Sequence, residues 1–304
     1  MVRKHIARFL CDKLRNALGI LLLSAAIVPS PADAKKALTI DELAMMYDIK
    51  TCAGCHEEKY EEWKTSSMGN SVTDPRVLRA MRTFIRLAID REEALERKDL
   101  TICLDCHVPQ IKDASPELIL HIGDLVLTSV EERNAAKREA AIKELSKLNI
   151  NCRVCHNLKS TGYYVKPRED VIYGPRSIDY SPHEGIGFST VRSDFMKTSE
   201  FCAQCHHCPP AVLWKECPTI YTSYIDDFVS KGHTDTCQDC HMKGQELSHR
   251  FLGPSDPDFL SSAVSMTVNA RATRYIDIYE NNKMPAVVVI VELASHAGHE
   301  IPHG

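Results

Sequence analysis

The chain has 304 residues, of which 44% are hydrophobic and 26% charged, so it is neither disordered nor collagen-like. With 37 Lys and Arg against 41 Asp and Glu it carries a net charge of -4, and that absence of basic excess sets nucleic-acid binding aside. Aromatic residues are only 7%, thin for a core of this size, whereas 13 Cys and 14 His are far in excess of ordinary use.

In chain order the first element is an export signal over residues 1–34. Arg3, Lys4, Arg8, Lys13 and Arg15 form a basic region, Ala17 to Val28 is almost wholly apolar, and Ala32-Asp33-Ala34 offers a small-x-small cleavage site. The apolar run is short for a bilayer span, and a retained anchor is the alternative. Either way the body is exported to a periplasmic or extracellular location. No second long apolar segment follows, so no transmembrane helix is expected in the mature chain.

The body contains one pattern five times: Cys52-x-x-Cys55-His56, Cys103-x-x-Cys106-His107, Cys152-x-x-Cys155-His156, Cys202-x-x-Cys205-His206 and Cys237-x-x-Cys240-His241. At these Cys and His frequencies chance would give about 0.03 such motifs. Two Cys three positions apart suit thioethers to the two vinyl groups of one haem, and the following His suits the proximal iron ligand. A zinc site needs no His after every Cys pair, and a thioredoxin-like pair would occur once. The cofactors expected are therefore five covalently bound haem c. The haems, packed near one another, would form much of the core that the aromatic residues do not supply.

Between motifs the pattern is helical. Asp74-Pro75 opens a helix through Val77, Leu78, Met81, Phe84, Ile85 and Ala88. Ser115-Pro116 opens a second, with His121 placed on its apolar side, leading toward a charged, solvated helix face from Glu131 to Lys147. Residues 163–189 lack periodicity and read as a long loop. Cys208 and Cys217, with Pro209 and Pro210 between them, are expected to form a disulfide, a reactive thiol pair being the alternative. A shorter helix is expected from about Thr219 to Lys231. Ala263 to Tyr279 and Ala286 to Leu293, on either side of Glu280-Asn281-Asn282-Lys283, read as a β-hairpin. A lone hairpin is marginal in water, so it should pack on the haem body or pair its edge elsewhere. The fold class is thus mainly α, with long loops around closely packed haems and a small C-terminal β-hairpin. The domains are 1–34 signal peptide, 35–260 pentahaem body, and 261–304 hairpin and His-containing tail.

Eight His lie outside the motifs in the mature chain: His121, His183, His207, His233, His249, His296, His299 and His303. These suffice for a second imidazole on each of five irons. His121, on its helix, and His183, in the irregular loop, are the first candidates from the residues themselves. Met68 and Met242 are further candidate ligands, although Met beside a haem more often packs than ligates.

The five motifs, the run from Cys55 to Lys64 with Ser67-Met68 after it, the stretch Thr236 to Met242 and the tail Ala297-Gly298-His299-Glu300-Ile301-Pro302-His303-Gly304 resemble the multihaem cytochromes c. The resemblance is to the branch that includes the tetrahaem electron acceptor of hydroxylamine oxidoreductase and related extracellular cytochromes. It adds His249 and His299 to the candidate iron ligands. That branch commonly has His after the Ser-Met pair, where Gly69 stands here. The function expected is a periplasmic or extracellular pentahaem cytochrome that carries single electrons along a haem chain in respiration, with redox proteins as partners. Two alternatives stay open: an oxidoreductase acting on a small nitrogen or sulfur compound at one open haem, and a subunit of a homo-oligomer or cytochrome filament.

Overall fold

The structure is a computed structural model that describes residues 36–92, 94–162, 165–178, 181–207, 220–244, 247–277, 279 and 282–301. The signal segment, the Cys208 and Cys217 pair and His303 lie outside the described residues. What is described is mainly α-helical with a C-terminal antiparallel hairpin, the expected fold class.

Three short helices open the body: α1 (Ile40–Met46), α2 (Lys50–Cys55) and α3 (Glu57–Lys64). Between α3 and the next helix, a Cβ on Gly69 would overlap the carbonyl oxygen of Trp63, so glycine alone permits this close approach. The Trp63 indole meanwhile donates to the Ile150 carbonyl at 2.8 Å, tying this corner to the third motif.

Helix α4 (Pro75–Glu92) begins where Asp74-Pro75 predicts, and the Asp74 carboxylate accepts the Arg76 N–H at 2.7 Å. Leu78, Met81, Ile85 and Ala88 are buried, but Phe84 is 40% exposed, at the rim of the apolar face rather than within it. Helix α5 (Arg97–His107) follows, then α6 (Pro116–Glu131), capped by the Ser115 hydroxyl, which accepts the Leu118 N–H at 3.2 Å. The charged stretch is a separate helix, α7 (Ala135–Ser146), because Glu132 is extended and Asn134 caps a new start by accepting from Lys137 N at 3.3 Å. Ala141 and Leu145 anchor it to the core.

Among the described residues the continuous apolar core runs from Ala37 to Leu158, with Leu43, Leu104, Ile119, Ile122, Leu145 and Leu148 at most 1% exposed. Beyond Leu158 the buried apolar side chains among the described residues are Val171, Tyr173 and Ala203.

The expected loop 163–189 contains a short strand, β1 (Val171–Gly174), paired in parallel with β2 (Ser189–Arg192). Strands of four residues are too short to show a period. Asn157 fixes β1 by donating to the carbonyls of Arg168 and Val171, both at 2.7 Å. Helices α8 (Ser199–His206), α9 (Ile220–Asp227), α10 (Cys237–His241) and α11 (Pro257–Ala263) complete the body. The hairpin pairs β3 (Val264–Asp277) with β4 (Asn282–Ser295) over fourteen residues each, and β4 starts four residues earlier than expected. Nearly the whole of it is exposed.

One surface network carries an acid-sensitive contribution. Glu131 at the end of α6 accepts from Arg82 at 2.5 Å and from the Arg86 guanidinium on α4, and these partners, Arg86 foremost, hold its carboxyl down at about 2. A depressed carboxylate stabilises the fold above its unfolded-state value and loses that contribution as pH falls toward 2. Because both arginines are about 40% exposed, the network is worth about 1 kcal/mol at neutral pH. Glu131→Gln should lower the thermal midpoint at pH 7, and thermal unfolding should show the gap to wild type closing between pH 4.5 and 2.

Candidate haem sites

Four of the five Cys-Cys-His motifs sit on or at the end of an α-helix: motif 1 on α2, motif 2 on α5, motif 4 on α8 and motif 5 on α10. On a helix, residues i, i+3 and i+4 share one face, so two thiols and the imidazole point to the same side. Motif 3 straddles the start of a π-helical turn, Val154–Leu158, with Cys152 ahead of it and Cys155 and His156 within it. The ten motif cysteines are thiols that form no disulfide.

The motif histidines are oriented by main-chain oxygens. His107 Nδ1 is 2.7 Å from the Ser71 carbonyl oxygen, His156 Nδ1 2.8 Å from that of Tyr173, and His241 Nδ1 2.6 Å from that of Leu252. A carbonyl only accepts, so Nδ1 carries the proton in each ring and Nε2 is left with its lone pair. Burial lowers the basicity of these three rings and of His206, which falls to about 4, keeping them neutral and able to bind a metal.

Three of the candidates outside the motifs face motif imidazoles. His183 lies 6.0 Å from His56 between ring centres, His249 lies 6.2 Å from His156, and His299 lies 6.1 Å from His241. The planes of the last two pairs are within 16° of parallel. Two metal–imidazole bonds of about 2 Å, with about 1 Å from nitrogen to ring centre on each side, put such rings about 6 Å apart. The donor set and its spacing therefore fit one haem iron between each pair. The facing rings are also held through Nδ1: His183 by Thr190 Oγ1 at 3.0 Å, His249 by the Leu247 carbonyl at 3.0 Å, and His299 by the Glu300 carbonyl at 2.9 Å.

The remaining candidates are placed differently. His121 is exposed on α6, because the buried face centres on Leu118, Ile119, Ile122 and Val126 and leaves position 121 to one side. His207 meets Tyr221 edge-on at 5.6 Å, His233 stacks on Phe228 at 4.3 Å, and His296 Nε2 lies 2.9 Å from Ser265 Oγ. Among the described residues His107 and His206 face no further imidazole at comparable spacing.

The motifs also touch one another. The side chains of Cys52 and Cys152, of Cys106 and Cys205, and of Cys202 and Cys237 lie close enough to act on one another electrostatically. Motif 1 therefore abuts motif 3, motif 2 abuts motif 4, and motif 4 abuts motif 5. Cys155 is within electrostatic reach of Cys202 and Cys205, which brings motif 3 to motif 4. This adjacency has no counterpart in the sequence.

Residues 51–121, spanning the first two motifs, match the family model described as cytochrome c554 and c-prime. No curated protein and no solved structure matches the chain. With the Cys-Cys-His geometry, this match supports a c-type cytochrome, a class that binds haem c covalently and carries electrons. Cytochromes of this class are typically exported, and among the described residues no helix is long and apolar enough to cross a membrane.

Proposed function

We propose that the chain is a periplasmic or extracellular pentahaem cytochrome c that passes single electrons along its haems in respiration. The observation that carries this reading is the adjacency of all five motifs, in the order 1 to 3 to 4, with 2 and 5 each against 4. Cys52, Cys55, Cys103, Cys106, Cys152, Cys155, Cys202, Cys205, Cys237 and Cys240 hold the porphyrins. His56, His107, His156, His206 and His241 are the proximal ligands, and His183, His249 and His299 the opposite ones at motifs 1, 3 and 5. Bound haem supplies a one-electron iron couple, and the polypeptide sets its spacing, ligation and exposure. Paired imidazoles hold the potential below that of Met/His ligation, which suits transfer among low-potential respiratory partners.

The intact mass of the matured protein should exceed that of the polypeptide from Lys35 by five haem masses, and the reduced protein should pass electrons to a redox protein without turning over nitrite or hydroxylamine. Four haems or fewer, or sustained turnover of either compound, overturns this reading.

One observation favours an assembled form. On one face of the hairpin the cross-strand pairs Met266/Leu293, Val268/Val291, Ala270/Val289 and Ala272/Val287 form a continuous apolar stripe. Its large side chains are 53–69% exposed, an arrangement that calls for a covering partner. A second copy laid face to face would bury the stripe in both chains, giving a homo-oligomer or filament. Sedimentation at rising concentration should show self-association that deletion of residues 284–304 abolishes. A wild-type protein that stays monomeric rejects the assembly.

A further inference from the structure

His249 sits in a backbone that does not hold itself. Leu247 and Phe251, two residues on either side, have φ of 59° and 48°, the left-handed region that side chains other than Gly occupy at a cost. A turn with two such residues needs an external restraint. The restraint comes from the helix after motif 1. The Glu62 carboxylate on α3 accepts the Ser248 hydroxyl through Oε1 at 2.9 Å and the His249 N–H through Oε2, also at 2.9 Å. Both oxygens of one side chain thus grip consecutive residues of the turn, 187 positions away in sequence. Ser248 is buried, its N–H donates to the Met242 carbonyl at 3.0 Å, and its hydroxyl oxygen also accepts the Arg250 N–H at 3.2 Å. Lys59 completes the grip, its ammonium 3.2 Å from Glu62 Oε2. The His249 ring, its Nδ1 turned to Leu247, is thereby presented to His156.

We propose that Glu62 is a positioning residue for the third haem site: a carboxylate on the helix of motif 1 clamps the strained turn 247–251 and holds His249 opposite His156. The proposal rests on the reading of His249 as an axial ligand. Its functional content is that motif 1 and the ligand of motif 3 are mechanically one unit. Release of the clamp lets the turn relax and His249 swing away, opening the iron at motif 3 without touching any ligand.

The test uses the full-length haem-loaded protein in its reduced form, with carbon monoxide as probe of an opened iron. What is read is the uptake beyond whatever wild type takes. Glu62→Ala should raise the rate of carbon monoxide binding at one haem about tenfold, the effect of removing hydrogen bonds to a charged acceptor. Glu62→Gln, which keeps the shape and one acceptor oxygen, should give a smaller rise and decides the matter if the alanine variant does not fold. Ser248→Ala should act in the same direction from the other side of the clamp. Glu58→Ala, an exposed neighbour on the same helix, should match wild type. His249→Ala should bind carbon monoxide at one haem at once. If it does while the Glu62 and Ser248 variants all bind at the wild-type rate, the clamp is refuted and the axial reading stands. If His249→Ala shows no added uptake, the axial reading fails and takes the clamp with it.

Discussion

On the pentahaem assignment proposed above, replacing His299 with alanine should convert one of five irons from low-spin to high-spin and give the ferrous protein one new binding site for carbon monoxide. The ring lies 6.1 Å from His241 and within 16° of parallel to it, and Nδ1 is engaged by the Glu300 carbonyl. The tail that carries it is docked rather than loose. The Glu300 N–H donates to Ser223 on α9 at 3.3 Å, and Gly298 lies so close to Phe228 that a Cβ would touch the ring at 3.2 Å. A truncated side chain at 299 leaves this docking intact, so no other residue is carried into its place. His296→Ala is the matched control, since His296 contacts Ser265 on the hairpin. Low-temperature electron paramagnetic resonance of both variants reads the result: a high-spin signal from one-fifth of the haem in the first and none beyond wild type in the second. A wholly low-spin His299 variant removes this assignment.

The second large effect concerns the chain without its cofactors. The continuous core runs from Ala37 to Leu158, and the later half contributes Val171, Tyr173 and Ala203 as its described buried apolar side chains. Among the described residues, apolar burial, the dominant stabilising term of folding, is thus concentrated ahead of residue 159. The porphyrins have to supply the missing apolar surface, and the covalent links confine the chain around them. Polypeptide made where haem is not attached should therefore keep helix over the first half and lose structure beyond it. Limited trypsin digestion should give a resistant fragment ending near Lys159 or Lys166, and hydrogen exchange should be fast from there to the C-terminus. Equal protection in both halves would contradict this division.

These two expectations draw on parts of the molecule that the sequence discloses unequally. The helix starts at Pro75 and Pro116 were readable because capping is local: Asp74 and Ser115 satisfy N–H groups a few residues away. The hairpin was readable from its β-branched runs. The break between α6 and α7 was not, because Glu132 and Asn134 sit within a composition that favours one continuous helix. Nor was the position of His121, since periodicity gives the direction of a face but not its width. His183, His249 and His299 could be named from an irregular loop and from family resemblance. Which motif each one faces depends on packing between segments far apart in the chain, and no local pattern encodes it. Glu62 was hidden for the same reason: on α3 it is one carboxylate among several, and its role exists only where the turn 247–251 comes to meet it.

The direction of those long-range pairings has a consequence for how the protein is made. His183 follows the motif it faces, as do His249 and His299, each by more than fifty residues. A chain emerging from its N-terminus thus presents a complete attachment site long before the opposing imidazole exists. On the assignment proposed above, irons at motifs 1, 3 and 5 pass through a five-coordinate stage during biogenesis, closing in the order in which residues 183, 249 and 299 arrive. Closing loops of this length is slow compared with helix formation. A nascent or truncated chain is accordingly a different chemical object from the finished one, with irons that oxygen and peroxide can reach. Protection of these irons belongs to the polypeptide from His183 onward, and quality control of maturation reduces to whether that part has arrived.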